Sequence, residues 1–307
     1  MEPIPVDIIG DIHGHADELC ELLEKLGYDS QQQSYQHPEG RTVIFLGDFI
    51  DRGPEQLRTL DIARRMIQGG SAKAVMGNHE FNALAFHSRN CHGKWLRPHT
   101  EKNIAQHQRF LDEIAAAPDG ALEESLDFFW KLPLWIETDS YRVVHATWSA
   151  EAMNTVLPLL NSDKTIVPCY LGQACDPRDA YFGAFESLLK GIEVKLPNGI
   201  SFEDADGYTR DAVRIKWWKE GKTLGDLALF SEKLPASIRG LRIDSPLSTY
   251  GINEPPLFLG HYWYKDDSPA FDLPNVAIMD YSVAKGGKLI AYRLDPDSAL
   301  SEENFVW

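Results

Sequence analysis

Three short stretches of the 307-residue sequence decide the fold: VDIIGDIHG at residues 6–14, TVIFLGDFIDRG at residues 42–53 and KAVMGNHE at residues 73–80. Each begins with an apolar run typical of a buried strand and continues into a polar turn marked by glycine. Helical periodicity follows over residues 16–26 and 56–67, and a third helix is predicted from about Phe81. Three strand–loop–helix units in succession predict an α/β fold with a βαβαβα core.

Side chains that commonly bind metal ions follow each of these strands. They are Asp11 and His13, then Asp48 with Asp51 and Arg52, then Asn78, His79 and Glu80. Two later predicted strands, at residues 141–145 and 257–261, end in His145 and His261. Taken singly, each is typical of a helix cap or a hydrogen-bonded surface residue. Because loops after strand ends form the ligand site of α/β sheets, the ordered combination predicts one shared site.

The donor set indicates which metals such a site would hold. It offers carboxylate, amide and imidazole groups and no thiolate, which favours Mn²⁺, Fe, Zn²⁺ or Mg²⁺ over copper or an iron–sulfur cluster. The number of ligands is large enough for two divalent cations, an arrangement suited to in-line displacement at phosphorus. Asp48 lies in the middle loop, where a bridging carboxylate belongs.

These motifs resemble those of the calcineurin-like metallophosphoesterases, over residues 10–80 most closely. Within that family they are similar to the phosphoprotein phosphatase branch, which includes bacterial serine/threonine phosphatases and dinucleoside polyphosphate hydrolases. The resemblance implies a four-layer α/β/β/α sandwich with a dimetal centre between its sheets. It also implies attack of a metal-bridging hydroxide, in line, on a phosphomonoester, with Mn²⁺ as the expected metal.

The resemblance also assigns roles to individual residues. Asp11, His13 and Asp48 would hold the first ion, and the second would be held by Asp48, Asn78, His145 and His261. His79 would be the general acid, Asp51 would orient it, and Arg52 would grip the phosphate oxygens. A second phosphate-binding arginine is not identified, because the Ser-Asp-Pro context that carries it in eukaryotic relatives is absent; Arg210 and Arg214 both remain open.

The substrate is left open between two enzymatic alternatives and one non-catalytic one. The first is a serine/threonine protein phosphatase-like enzyme, the second hydrolyses the phosphoanhydride of a dinucleoside polyphosphate, and the third is a metal-binding scaffold. Every expected ligand position is filled, which argues against the scaffold. Trp217 and Trp218 could stack a nucleobase or pack in the core.

One domain spanning residues 1–307 is predicted, with cap insertions at about 88–130 and 150–256. The histidine-rich and basic residues at 88–117 are expected to form an excursion from the core, either a cap that attracts a polyanion or a solvated helix face. The formal net charge of −16 disfavours nonspecific nucleic-acid binding. Four scattered cysteines, no apolar run of membrane length and no secretory pattern predict a cytoplasmic protein that does not enter a membrane. The family resemblance implies a phosphorylated partner, either a phosphoprotein or a small phosphoester or nucleotide.

Overall fold

Two five-stranded sheets form the centre of the molecule. The structure is a computed structural model that describes residues 4–31, 34–197, 199–203, 209–243, 249–265, 268–296 and 298–307. In spatial order the first sheet contains β18 (Phe305–Val306), β17 (Ala291–Leu294), β1 (Val6–Ile9), β4 (Thr42–Phe45) and β5 (Ala72–Ala74). The second contains β13 (Phe271–Leu273), β14 (Val276–Ile278), β12 (Leu257–Leu259), β7 (Arg142–Val144) and β6 (Trp135–Glu137).

The first sheet has three parallel strands on one side and antiparallel pairings on the other, whereas the second has a parallel centre with an antiparallel strand at each edge. In the first sheet β1, β4 and β5 run parallel, with Ile9 beside Phe45 and Phe45 beside Ala74. In the second sheet β12 runs parallel to β7 and β14. Their side chains are almost entirely apolar and buried, as expected of strands covered on both faces. The α/β prediction is therefore confirmed, whereas the four-layer order stays a prediction.

The helices are mostly short, and the described ones are α1 (Ala16–Lys25), α2 (Gln56–Gln68), α3 (Asn78–His87), α4 (Glu101–Ala116), α5 (Ala121–Phe129), α6 (Ala150–Val156), α7 (Leu171–Cys175), α8 (Phe182–Lys190), α9 (Leu224–Leu227) and α10 (Ala236–Arg239). In α1 the apolar residues recur at helical spacing and face the core through Leu19, Leu22 and Leu23. Among the described helices, none combines the length and apolar character that a membrane crossing requires.

The remaining described strands form short antiparallel pairs, which are β2 (Asp29–Gln31) with β3 (Ser34–Gln36), β8 (Glu193–Lys195) with β11 (Ala212–Arg214), β9 (Phe202–Glu203) with β10 (Thr209–Arg210), and β15 (Asp280–Tyr281) with β16 (Lys288–Leu289). The region that contains β8, β11, α9 and α10 has a small hydrophobic core of its own, separate from the main one. Positions 198, 204–208 and 244–248 of the predicted insertion 150–256 lie outside the described residues.

The two sheets are linked by aromatic contacts and by one main hydrophobic core. The rings of Phe258 in β12 and Tyr292 in β17 lie 5.3 Å apart, and Phe271 in β13 lies 5.7 Å from Tyr292. Because the parallel strands of both sheets direct their carboxyl ends to one region, the loops that follow them meet there. This places the candidate site at the junction of the sheets.

Two sequence-based expectations differ from the structure. The third helix begins at Asn78 and not near Phe81, because Glu80 accepts a hydrogen bond from the backbone N–H of Gly77 and so caps the first turn. Residues 88–117 are not a simple excursion, since α4 inserts Phe110 fully into the main core. The composition of α4 is that of a solvated polar helix, so it did not indicate that the helix buries Phe110.

Candidate metal centre and active site

The six residues expected to bind metal come from five strand ends and are all buried: Asp11, His13, Asp48, Asn78, His145 and His261. Asp11 and His13 follow β1, and Asp48 follows β4. Asn78 opens α3 just after β5. The histidines follow β7 and β12 of the other sheet. The structure thus brings together residues that are up to 250 positions apart in the chain.

Asp48 lies at the centre of this cluster. Its Oδ2 is 3.7 Å from His13 Nε2 and 3.4 Å from His145 Nε2. Two groups of donors, each with atoms within 4.8 Å of one another, share this carboxylate: His13, Asp48 and His79, and Asp48, His145 and His261. Asn78 Oδ1 lies 3.2 Å from His145 Nε2. Asp11 joins the cluster through His261, whose backbone N–H donates to Asp11 Oδ2.

Several of these donor atoms have no hydrogen-bond partner in the described part of the chain. They are Asp11 Oδ1, His13 Nε2 and His261 Nε2, all buried. His13 donates its Nδ1–H to the carbonyl of Ile50, and His145 donates its Nδ1–H to the carbonyl of Leu46. Histidine ligands of metals characteristically fix their other nitrogen in this way, and buried polar atoms without partners are rare. The residues present therefore fit divalent cations.

The electrostatics of the cluster also suit a cation. Burial disfavours a charged Asp48, but the nearby imidazoles, His145 foremost, outweigh it and hold the pKa of Asp48 well below its usual range. Burial, with the charge of Asp280, raises the pKa of Asp11. Burial opposes a charged His145, yet Asp48 and Asp11 raise its pKa to about 10. The buried carboxylates of this cluster repel each other. A bound cation would offset that repulsion.

The loops that carry these residues have an unusual backbone. Six non-glycine residues here have φ in the left-handed region: His13, Asp48, Asp51, Arg52, His261 and Trp263. Such conformations are costly and concentrate at functional sites. The loops also touch closely, since a Cβ on Gly260 would lie 2.2 Å from Asp11 Oδ1. Glycine is required at that position by this contact.

Glu80 ties the middle loops together. Its carboxylate accepts from the backbone N–H groups of Asp48, Phe49 and Gly77. Burial raises the pKa of Glu80 to about 7, with the charge of Asp48 adding to the effect. Glu80 therefore holds the loop after β4 against the start of α3. This role was not predicted from the sequence.

The predicted acid and its partner are in contact. His79 donates from Nδ1 to Asp51 Oδ2 at 2.5 Å, and both side chains are buried. Burial opposes a charged imidazole, but Asp48 and Asp51 outweigh it and raise the pKa of His79. Asp51 also accepts from His107 of α4, a residue that the sequence analysis placed in the basic excursion.

A cavity of about 1040 Å³ opens onto the cluster. Among the described residues that line it are nine Lys and Arg against five Asp and Glu, although the chain as a whole carries a net charge of −16. Arg52 lies there with its guanidinium 4.3 Å from the ring of Trp263. Arg210 and Arg214 both line the cavity. Trp217 and Trp218 do not line it; they are 1% exposed and pack in the core.

Comparisons with known proteins agree with this geometry. The profile described as calcineurin-like phosphoesterase matches residues 4–166. The bis(5'-nucleosyl)-tetraphosphatase PrpE [asymmetrical] of Halalkalibacterium halodurans is 49% identical over 73 residues, which are 24% of this chain and 30% of that protein. Its namesake from Oceanobacillus iheyensis is 29% identical over 141 residues, 46% of this chain and 54% of that protein. The chain thus covers about a third to a half of these relatives.

A solved structure shares the fold over most of the chain. A mutant of a cold-active protein tyrosine phosphatase superimposes with a TM-score of 0.51 at 17% identity, covering 96% of this chain and 76% of that one. At that identity the likeness concerns the fold alone.

Proposed function

The chain belongs to the calcineurin-like phosphoesterase family, and on that basis we propose that it is a metal-dependent hydrolase of phosphate esters. The observation that carries the proposal is the shared carboxylate of Asp48, which lies between two groups of donor atoms. A scaffold without catalysis would not need the buried His79–Asp51 pair beside that carboxylate. The acid–base pair and the ligands together favour an enzyme.

The proposed ligands are those of the sequence analysis. Asp11, His13 and Asp48 would hold one cation, and the other would be held by Asp48, Asn78, His145 and His261. The unpartnered atoms of Asp11, His13 and His261 support this assignment. The oxygen and nitrogen donors suit Mn²⁺, Fe, Zn²⁺ or Mg²⁺, and the family resemblance makes Mn²⁺ the first candidate. When bound, such a pair of cations lowers the pKa of water toward neutrality and stabilises charge on phosphoryl oxygens.

His79 is proposed to protonate the leaving oxygen. Its Nδ1–H is held by Asp51, so Nε2 is the atom that can transfer a proton. Burial opposes a charged imidazole, but Asp48 and the hydrogen bond to Asp51 raise the pKa of His79, which is the direction that suits a proton donor. Asp51 fixes the ring and stabilises its positive charge.

Two arginines are proposed to bind the phosphate oxygens. Arg52 follows Asp51 directly and has a buried Nε with no hydrogen-bond partner among the described residues. Arg214 is proposed as the second, because its Nε is likewise buried and unpartnered, while its Nη2 is held by Glu193 at 3.1 Å in the cavity wall. Its charge also acts on the metal cluster: burial first, and Arg214 next, hold the pKa of His261 well below its usual range. The planar guanidinium suits a tetrahedral anion.

The cavity favours a small substrate with several phosphates over a phosphoprotein. Its volume of about 1040 Å³ exceeds what one phosphorylated side chain fills and is at the upper end of small-molecule sites. The excess of lysine and arginine side chains in its wall would neutralise several phosphate charges. The proteins matched above are named as dinucleoside tetraphosphatases. We therefore place the dinucleoside polyphosphate ahead of the phosphopeptide as the candidate substrate.

A substrate panel tests this order. Protein supplied with Mn²⁺ is assayed on p-nitrophenyl phosphate, phosphoserine and phosphothreonine peptides, and diadenosine tetraphosphate. We expect hydrolysis that a chelator abolishes, with the highest kcat/KM on diadenosine tetraphosphate. His79→Asn is the control against a contaminating phosphatase and should lower kcat about 10²–10⁴-fold on a poor leaving group. Phosphate release from the peptides without cleavage of diadenosine tetraphosphate would reject the polyphosphate assignment, and no hydrolysis with any cation would reject the enzyme.

The remaining expectations stay predictions. They are a single domain with insertions at 88–130 and 150–256, a cytoplasmic location, and no nonspecific binding of nucleic acid. The small hydrophobic core around β8, β11, α9 and α10 supports the second insertion as a separately packed cap, and β11 contributes Arg214 to the cavity.

A further inference from the structure

The carboxylate of Asp51 is held at both of its oxygens. Oδ2 accepts from His79 Nδ1 at 2.5 Å, and Oδ1 accepts from His107 Nδ1 at 2.8 Å. The backbone N–H of Asp51 donates to Gln56 Oε1. Asp51 and His107 are 3% and 5% exposed, so water has little access to either. The terminal torsion of an aspartate is otherwise soft, and the second imidazole removes that freedom.

His107 is itself fixed by the helix that carries it. Its ring lies between Phe86, at 5.2 Å, and Phe110, at 4.9 Å. Glu113 of the same helix accepts from the backbone N–H groups of Gln56 and Leu57, at the start of α2. Helix α4 is therefore attached by two polar contacts to the loop that follows β4 and to the helix after it. A residue so placed can hold Asp51 in one orientation.

The charge of Asp51 depends on the same contacts. Burial disfavours the ionised carboxylate, but the hydrogen bonds from His107 and His79 outweigh burial and hold the pKa of Asp51 well below its usual range. An ionised carboxylate only accepts hydrogen bonds, so both imidazoles donate their Nδ1–H. His107 Nε2 is buried and has no hydrogen-bond partner among the described residues, which leaves the bond to Asp51 as the polar contact of this ring.

We propose that His107 is a positioning residue for the general acid: by donating to Asp51 Oδ1 it fixes the carboxylate that orients His79. The inference rests on the proposed function, and it extends the acid pair to a third residue supplied by α4. His107 acts through Asp51 and has no assigned contact with the substrate.

Two substitutions separate the hydrogen bond from the packing. His107→Phe keeps a ring between Phe86 and Phe110 and removes the donor. His107→Asn keeps an amide N–H close to the place of Nδ1 and removes the ring. Outer hydrogen-bond partners of this kind typically contribute about 10–100-fold to activity. We expect His107→Phe to lower kcat by about that factor on an alkyl phosphate, with little change in KM, whereas His107→Asn should recover most of the activity.

The dependence on the leaving group distinguishes positioning of the acid from general damage. A good leaving group such as p-nitrophenolate needs little protonation, so the loss in His107→Phe should be much smaller on its ester. In a His79→Asn background His107→Phe should cause no further loss. The neighbouring His87, whose ring is 5.5 Å from that of His107, provides the control: His87→Gln should stay within about twofold of the parent enzyme.

A readout independent of activity follows the hydrogen bond itself. In proton NMR the Nδ1 proton that His79 shares with Asp51 should lie far downfield in the parent protein and in His107→Asn, and should broaden or disappear in His107→Phe. If the Phe variant loses its cooperative thermal transition, His107→Ala replaces it, since that change adds no volume. Equal losses on all leaving groups, an unchanged His107→Phe, or a downfield proton that persists in it would overturn the proposal. If the parent protein hydrolysed neither an ester nor diadenosine tetraphosphate, the proposed function would fail instead, and the NMR result alone would decide the role of His107.

Discussion

Two cationic side chains lie close to the ring of Trp263. The guanidinium of Arg52 is 4.3 Å from the centre of its ring, and the ammonium of Lys285 is 4.1 Å from it. The backbone of Trp263 has a φ of 50° and donates its N–H to Asp280. Because Arg52 Nε has no hydrogen-bond partner in the described residues, the indole is a principal support for the guanidinium that is proposed to bind phosphate.

Replacing this ring should weaken substrate binding. A cation–π contact is worth about 0.5–2 kcal/mol, so Trp263→Leu should lower kcat/KM about 2–30-fold, mainly through a higher KM. Trp263→Phe keeps an aromatic face and should lose much less. Steady-state kinetics on the preferred substrate give the comparison; a leucine variant as active as the phenylalanine variant would show that Arg52 does not depend on the ring.

The strand-end positions of the proposed metal ligands could be predicted from the sequence. The residues that hold Asp51 and Arg52 in place could not. Asp11, Asp48 and Asn78 each follow an apolar strand directly, so local pattern was enough to place them. His107 meets Asp51 across 56 residues, and Trp263 meets Arg52 from the other end of the chain. Such long-range contacts leave no periodic pattern in the sequence, because they are created by the packing of α4 and of the loop after β12.

Among the elements, the start of α3 is tightly packed against a neighbouring loop. A Cβ on Gly77 would lie 2.3 Å from both the backbone nitrogen and Oδ1 of Asp48, and 2.8 Å from Glu80 Oε2. The loop after β4 therefore packs directly against the N-terminus of this helix. The shared carboxylate is positioned by this contact.

A methyl group at Gly77 should disturb the metal centre. Gly77→Ala is expected to destabilise the protein by about 1–3 kcal/mol and to weaken cation binding about 10–100-fold. Gly183→Ala is the matched control in α8, where an added Cβ meets no atom within 4 Å; it should be neutral or stabilising by up to about 1 kcal/mol. Urea unfolding and cation titration measure the two effects. Equal behaviour of the two variants would contradict the packing described.

Long, regular elements were predictable and short ones were not. The bounds of α1 and α2 follow the apolar periodicity within one residue of the prediction. Residues 288–294 look like one apolar strand in the sequence, but they are divided at Ile290 into β16 and β17, which belong to different sheets. Between β7 and β12 the strands are two or three residues long, too short for an alternating pattern to identify.

The stability of the whole molecule should depend on pH through half-buried His87, which lies close to His107 of α4. Burial, with the charges of His107 and His99, lowers the pKa of His87 to about 4. The unfolded chain would take up a proton near pH 6.5 that the folded chain refuses until about pH 4. Stability from this residue is therefore complete above pH 6.5 and declines as the pH falls toward 4.

His87→Gln should flatten that decline. Unfolding free energies of metal-free protein, measured in urea from pH 7 to pH 4.5, are expected to fall less steeply in the variant than in the parent. The substitution of exposed His92 by Gln shows the effect of removing a surface imidazole. Parallel slopes for parent and His87→Gln would contradict the assignment of this proton to His87.

The proposed chemistry of the whole molecule depends on two cations that share Asp48. Elemental analysis of protein dialysed from Mn²⁺ should give about two equivalents per chain, and Asp48→Asn should bring the content below one, because both groups of ligands lose their common carboxylate. Asp17→Asn, on the exposed first turn of α1, should leave the metal content unchanged. Two equivalents retained by Asp48→Asn would contradict the shared site and the chemistry proposed from it.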